Sequence, residues 1–330
     1  MKFLLILLAF VGSFAASAQT TAPPALNATL DGYEYPYPVR YLPLRLEGQA
    51  MRMAYMDVPA TARANGRTVV LLHGKNFFGA YWRETVKALT AAGFRVVVPD
   101  QIGFGKSDKP DIHYSFHQLA RNTKHILDTL GVQKAIIVGH SMGGMLATRF
   151  ALMYPAATEK LVLENPIGLE DYRVSVPFQS VDQAYATERK STEESIRKYH
   201  ATYYPHGYPK AHDEWLLPLA AQTRHPDFLK VARANALTFE MIYQQPVSYE
   251  FSRVTVPTLL IIGQDDRTVV GKGLVKDQKL LATLGQYPEL GRRTAAQIKG
   301  AKLVPLSGVG HIPHLEATPR FLKALLAFIR

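Results

Sequence analysis

Ala135-Ile136-Ile137-Val138-Gly139-His140-Ser141-Met142-Gly143-Gly144 is an apolar run that breaks at a glycine-flanked serine, with a helix-patterned stretch over 142–154 behind it. The order strand, Gly-x-Ser-x-Gly, helix predicts a sharp turn that leaves the Ser141 hydroxyl exposed above the end of a sheet. Small residues at 139 and 143 let that turn tighten where a larger side chain would obstruct it. The backbone N–H of Met142 is then expected beside the hydroxyl. A serine so placed is a candidate nucleophile, and it makes a demand on the rest of the chain. A base must take its proton and a carboxylate must orient the base.

Working outward, the 135–138 run is one of several of its kind. Residues 68–72, 95–98, 160–163, 258–262 and 301–306 are likewise short and apolar, and helical patterns at 80–92, 115–130 and 142–154 alternate with the earlier ones. Strands buried on both faces read this way, so an α/β architecture follows, with a mostly parallel sheet between two helical layers. Ahead of them, residues 40–47 and 50–57 alternate about Gly48-Gln49 as a β-hairpin would, and 319–330 reads as a closing helix. Between 168 and 254 the strand rhythm stops, and the chain becomes polar, aromatic and helix-prone. This segment is expected to form a helical cap over the strand ends that carry Ser141. It divides the core into 39–167 and 255–330, behind a lead segment over 19–38.

The base and the acid appear in later loops. Asp266 follows the 258–262 run in Gly263-Gln264-Asp265-Asp266, and His311 follows the 301–306 run in Gly308-Val309-Gly310-His311. Asp265 and Glu164, the latter in Glu164-Asn165-Pro166 after the 160–163 run, compete with Asp266 for the acid's role. The chain resembles the α/β-hydrolase superfamily, in its cap-bearing serine branch, over nearly all of 39–330. The resemblance rests on Leu72-His73-Gly74, on Asp100 to Pro110 with its Gly103-Phe104-Gly105-Lys106-Ser107 core, on the Ser141 turn, and on Gly310-His311 with Glu316 and Pro319 downstream. It implies an eight-stranded sheet, a Ser141–His311–Asp266 triad, and an oxyanion hole made by the N–H groups of Met142 and Lys75. Asn76 stands next in line as a donor, because His73-Gly74-Lys75-Asn76 departs from the commoner versions of this loop.

Serine at 141, where epoxide- and haloalkane-cleaving relatives carry aspartate, points to attack on a carbonyl carbon and an acyl-enzyme. Hydrolysis of a carboxylic ester or lactone is the first expectation. C–C bond hydrolysis or haloperoxidase-like chemistry is the alternative, and the former is disfavoured by Ile312 where such hydrolases often place Trp. A non-catalytic ligand receptor on the same fold is a competing reading from another class. Neither a metal nor an organic cofactor is called for, and a small ester-type molecule is the expected partner. His113 and His117 stand four apart without a third ligand nearby and read as ordinary histidines. His140 is assigned to packing of the turn. Phe77, Phe78, Tyr81, Tyr199, Tyr203, Tyr204 and Trp215 are divided between pocket and core, and Arg267 reads as a turn charge.

The formal charge of +11 is spread along the 330 residues without a basic block, so nucleic acid is not an expected partner. Met1-Lys2, an apolar stretch to Val11 and Ala16-Ser17-Ala18 read as a secretory signal cut after Ala18, which predicts a periplasmic or secreted protein. That apolar stretch is too short to be a transmembrane anchor, and the absence of cysteine leaves no site for a lipid or a disulfide. Oligomeric state is not readable from these features.

Overall fold

The computed structural model describes residues 24–330, so the signal-segment expectation falls outside the described residues. Eight strands form one sheet: β1 (Val39–Leu46), β2 (Gln49–Val58), β3 (Thr68–Leu72), β4 (Arg95–Pro99), β5 (Ala135–His140), β6 (Thr158–Glu164), β7 (Thr258–Gly263) and β8 (Lys302–Leu306). Their spatial order is β1-β2-β4-β3-β5-β6-β7-β8, antiparallel up to the β2–β4 pair and parallel beyond it. Every residue of β3, β5 and β7 is buried, which is why those segments read as unbroken apolar runs.

Alternate side chains of each strand feed two separate cores. Val70 and Leu72 pack with α2 (Phe116–Thr129), α3 (Met142–Met153) and α9 (Tyr287–Gln297), while Val69 and Leu71 pack with α1 (Arg83–Ala91) and α11 (Thr318–Ile329). Each fully buried aliphatic side chain contributes roughly 1.5–3 kcal/mol. The sheet is thereby a rigid platform.

The hairpin turn sits one residue earlier than the alternation suggests. Glu47 and Gly48 occupy it with φ of 48° and 78°, the doubly left-handed geometry of a two-residue hairpin loop, so Gln49 opens β2 instead of forming the turn. The expected 80–92 helix begins at Arg83, behind a 3₁₀ turn over Gly79–Trp82.

Among the described residues the chain between β6 and β7 forms no strand. It holds α4 (Val181–Glu188), α5 (Glu193–Ala201), α6 (Asp213–Gln222) and α7 (Phe228–Gln244), with α4 against α7 and α5 against α6. After β7 come α8 (Gln278–Thr283) and α9, and after β8 the short α10 (Pro313–Glu316) precedes α11.

The lead segment is a strap. Leu26 N–H donates to Ala221 O of α6, and Gln222 returns bonds to the carbonyls of Asn27 and Ala28. Tyr33 and Tyr35 then pack on Phe78, and the Tyr35 hydroxyl donates to the buried Asp100 carboxylate at 2.6 Å.

Candidate active site

Ser141 joins β5 to α3 with φ 55° and ψ −121°, a conformation that costs a non-glycine residue about 1–3 kcal/mol. Neighbouring glycines make the strained turn possible. A Cβ on Gly139 would lie 2.1 Å from Gly143 O, and one on Gly143 would lie 2.2 Å from Leu72 O. The turn is also braced from outside, with Ser141 N–H on Glu164 O and Ser141 O accepting from Gly144 and Ile167.

The hydroxyl meets its base directly. His311 Nε2 lies 3.0 Å from Ser141 Oγ, and His311 Nδ1 lies 2.7 Å from Asp266 Oδ2, with all three residues buried. With Nδ1–H donating to the carboxylate, Nε2 is left to accept the serine proton. Asp266 accepts two further bonds, from Asn165 Nδ2 at 2.7 Å and from Thr268 N–H at 2.8 Å. Burial alone would raise this carboxyl. The charge of His311 and the bonds from His311, Asn165 and Thr268 outweigh burial and hold it below the usual carboxylate range.

Asn165 is the residue that sequence reasoning missed. Fully buried and with φ 35°, it also accepts Gly263 N–H at 2.8 Å and donates to Gly310 O at 3.2 Å, so one amide ties together the loops that carry the acid and the imidazole. Its one sequence signal is its place in Glu164-Asn165-Pro166, next to a candidate acid. Glu164 itself makes no hydrogen bond to His311, although the two are close enough to interact electrostatically. It accepts His314 N–H at 2.7 Å and faces His314 Nδ1 at 2.9 Å in a second buried pair. Burial pushes the Glu164 carboxyl well up and the His314 imidazole well down, so both shifts favour the uncharged forms. Asp265 turns away to the exposed His206, 2.8 Å distant.

Among the described residues no acceptor receives the backbone N–H of Lys75, Asn76 or Met142. The Asn76 side chain is committed, donating to the Tyr203 hydroxyl at 2.7 Å. Gly74 packs against Ser141, since a Cβ there would come within 3.1 Å of the serine Cβ, and the following residue, Lys75, lines the same cavity as Ser141. Tyr81 and His140 link this loop to the base. Gly74 N–H donates to Tyr81 Oη at 3.0 Å, Tyr81 Oη–H donates to His140 Nδ1 at 2.9 Å, and His140 Nε2–H donates to His311 O at 2.8 Å. Burial, and then the neighbouring His311 and His314, push the His140 imidazole down and keep it neutral. Its place in the turn is therefore polar as well as steric.

Above Ser141 lies a cavity of about 360 Å³ between the strand-end loops and α4–α7. Phe77, Ile167, Phe228, Phe239 and Ile242 give it apolar walls. Lys75, Lys109 and Lys272 also line it, against Glu188, the one carboxylate lining it among the described residues. Burial pushes all three ammonium groups down, Lys109 to about 7, while Glu188 opposes the shift at Lys75 and Asp266 opposes it at Lys272. Lys109 is anchored on the carbonyls of Gly105 and Ser107, whereas Lys75 makes no hydrogen bond or close ion pair among the described residues.

The remaining candidates divide cleanly. Tyr199 and Tyr203 line the cavity, but Tyr204 bonds His212 and Trp215 lies under Arg83. Phe78 is core, and Arg267 braces the carbonyls of Gln264 and Asp266. His113 and His117 are exposed, and no cluster of metal-ligating side chains occurs among the described residues. No helix of the described residues is long and apolar enough to cross a membrane.

The chain matches the α/β-hydrolase fold family over residues 67–318, and it belongs to that family. It is 30% identical over 302 residues to a 2-hydroxy-6-oxononadienedioate/2-hydroxy-6-oxononatrienedioate hydrolase of Burkholderia vietnamiensis, covering 88% of this chain and 95% of the relative. A crystal structure of a probable hydrolytic enzyme from Pseudomonas aeruginosa PAO1 superposes with a TM-score of 0.91 at 46% identity, covering 94% of this chain and 100% of that one. The enol-lactonase of Burkholderia xenovorans LB400 shares the fold, with a TM-score of 0.65 at 21% identity over 87% of this chain and 99% of its own.

Proposed function

We propose that this α/β-hydrolase cleaves a carbon–carbon bond beside a carbonyl group, in a small substrate that bears a carboxylate, through an acyl-enzyme on Ser141. The observation that carries the reading is the Ser141–His311–Asp266 chain opening on an apolar cavity in which three lysines face a single glutamate. An unpaired ammonium in such a place is costly unless a ligand supplies the anion. The relative from Burkholderia vietnamiensis is named for a 6-oxo dienedioate, a keto acid with two carboxylates, and its kind hydrolyses C–C bonds. This similarity favours the C–C alternative over the ester expected first from the sequence.

In this mechanism Ser141 Oγ attacks the carbonyl carbon while His311 Nε2 takes its proton, and Asp266 stabilises the imidazolium. The N–H groups of Met142 and Lys75 receive the developing alkoxide, an interaction worth about 2.7–4 kcal/mol per donor in comparable sites. Collapse breaks the C–C bond, and the departing carbon keeps the electron pair and receives the proton. Water, deprotonated by His311, then releases the acyl group as a carboxylic acid. One water is consumed overall.

Ester or lactone hydrolysis is the second reading, favoured by Ile312 directly after the base. It needs the same groups but a less demanding oxygen leaving group. The test compares kcat/KM on a 2-hydroxy-6-oxo-dienoate, followed by loss of its absorbance, with kcat/KM on p-nitrophenyl butyrate, for wild type and Ser141→Ala. A higher value on the keto acid, lost in the variant, supports C–C hydrolysis. Turnover of the ester alone would replace that reading with the second.

A further inference from the structure

A piece of the cap reaches the catalytic base itself. Tyr203, just past α5, lays its ring on the His311 imidazole with centroids 4.8 Å apart and planes 25° from parallel. Its carbonyl accepts His311 N–H at 3.0 Å, and its hydroxyl accepts Asn76 Nδ2 at 2.7 Å. The contact is close enough to dictate sequence elsewhere. A Cβ on Gly310 would fall 2.4 Å from both Tyr203 O and Pro205 Cδ, so only glycine lets the histidine loop come this near the cap. Directly after Pro205, the same segment is tied to the acid's loop as well, through His206 and Asp265 at 2.8 Å.

We propose that Tyr203 is a positioning residue: the cap segment 203–206 completes the triad by fixing the plane and height of the His311 imidazole. The core holds that ring through Nδ1 to Asp266 and Nε2 to Ser141, an axis about which it can still turn, with the rings of His140 and Tyr287 centred 5.0 and 6.2 Å away. The stacked phenol removes that freedom, and the aromatic face also favours the imidazolium formed during the reaction. The Tyr203 backbone bond anchors the loop, and the ring anchors the side chain. In consequence, a cap displaced at α5 would leave Ser141 with a poorly aimed base.

This proposal rests on the reading of His311 as the base, and the test separates the two. Wild type, Tyr203→Phe and Tyr203→Leu are compared by kcat and KM on one substrate and by the rate at which a fluorophosphonate labels Ser141. Phenylalanine keeps the stack and is expected to stay within about threefold of wild type. Leucine is expected to lower kcat and the labelling rate together by about tenfold or more, with little change in KM. Tyr203→Met serves if the leucine variant does not fold. A raised KM with unchanged kcat and labelling would make Tyr203 a substrate contact and overturn the proposal. A phenylalanine variant as impaired as leucine would also overturn it, by moving the effect to the hydroxyl. Absence of labelling in folded wild type would instead sink the reading of the site.

Discussion

Asn165 shows at the scale of one residue what holds the site together. Its amide nitrogen serves Asp266 and Gly310, and its amide oxygen serves Gly263, so its removal leaves a buried carboxylate short of a donor. Hydrogen bonds to charged groups are worth about 1.5–3 kcal/mol. Asn165→Ala should therefore lower kcat by about tenfold or more while KM moves little, and steady-state kinetics will check it; an unchanged kcat would remove Asn165 from the machinery. Ser141, Asp266 and His311 were legible in the sequence because the chemistry demands those residue types in loops after strands. Asn165 was not, and Tyr81 and Tyr203 were legible only as pocket-or-core aromatics, because their polar and stacking contacts depend on loops far apart in the chain meeting in space. The acid's identity shows the limit well: only the fold sends Asp265 to His206 and Glu164 to His314.

At the scale of elements, burial on both faces made β3, β5 and β7 readable as apolar runs. Helices α8 and α9 gave a weaker signal, since α8 has no buried residue and α9 buries only Tyr287, Leu290, Gly291 and Thr294. The turn at Glu47-Gly48 was misplaced by one residue because Glu47 adopts a left-handed conformation that its type does not advertise. The end of β6 and the start of α10 meet at the Glu164–His314 pair, which has a consequence for pH. Burial raises the Glu164 carboxyl in the folded state above its ordinary 4.5, so its contribution to stability is full below that pH and is lost as pH rises toward the folded value. Glu164→Gln keeps an acceptor for His314 N–H and does not titrate. Thermal melts should show the variant gaining on wild type as pH rises above the ordinary carboxyl value of 4.5. A constant difference across that range would contradict the assignment.

Across the whole molecule, the cap and the core are joined by packing, backbone bonds and a few ion pairs. The Arg83–Glu214 and Arg233–Asp111 pairs lie toward solvent, where such pairs are worth about 0–1 kcal/mol, while the part-buried Arg149–Glu250 pair ties α3 to the chain after α7 with two bonds. The lead segment and Tyr203 do more, one tying α6 to the Asp100 loop and the other tying the cap to the base. The scattered charge of +11 told little in advance, yet three lysines gathered around one cavity turn part of it into a property of the site. The central claim is that this assembly exists to activate one hydroxyl. Mass spectrometry of protein treated with a fluorophosphonate tests it most directly. One adduct per chain, mapped to Ser141 and abolished in His311→Ala, is the predicted result; an adduct on another residue, or none on folded protein, would contradict it.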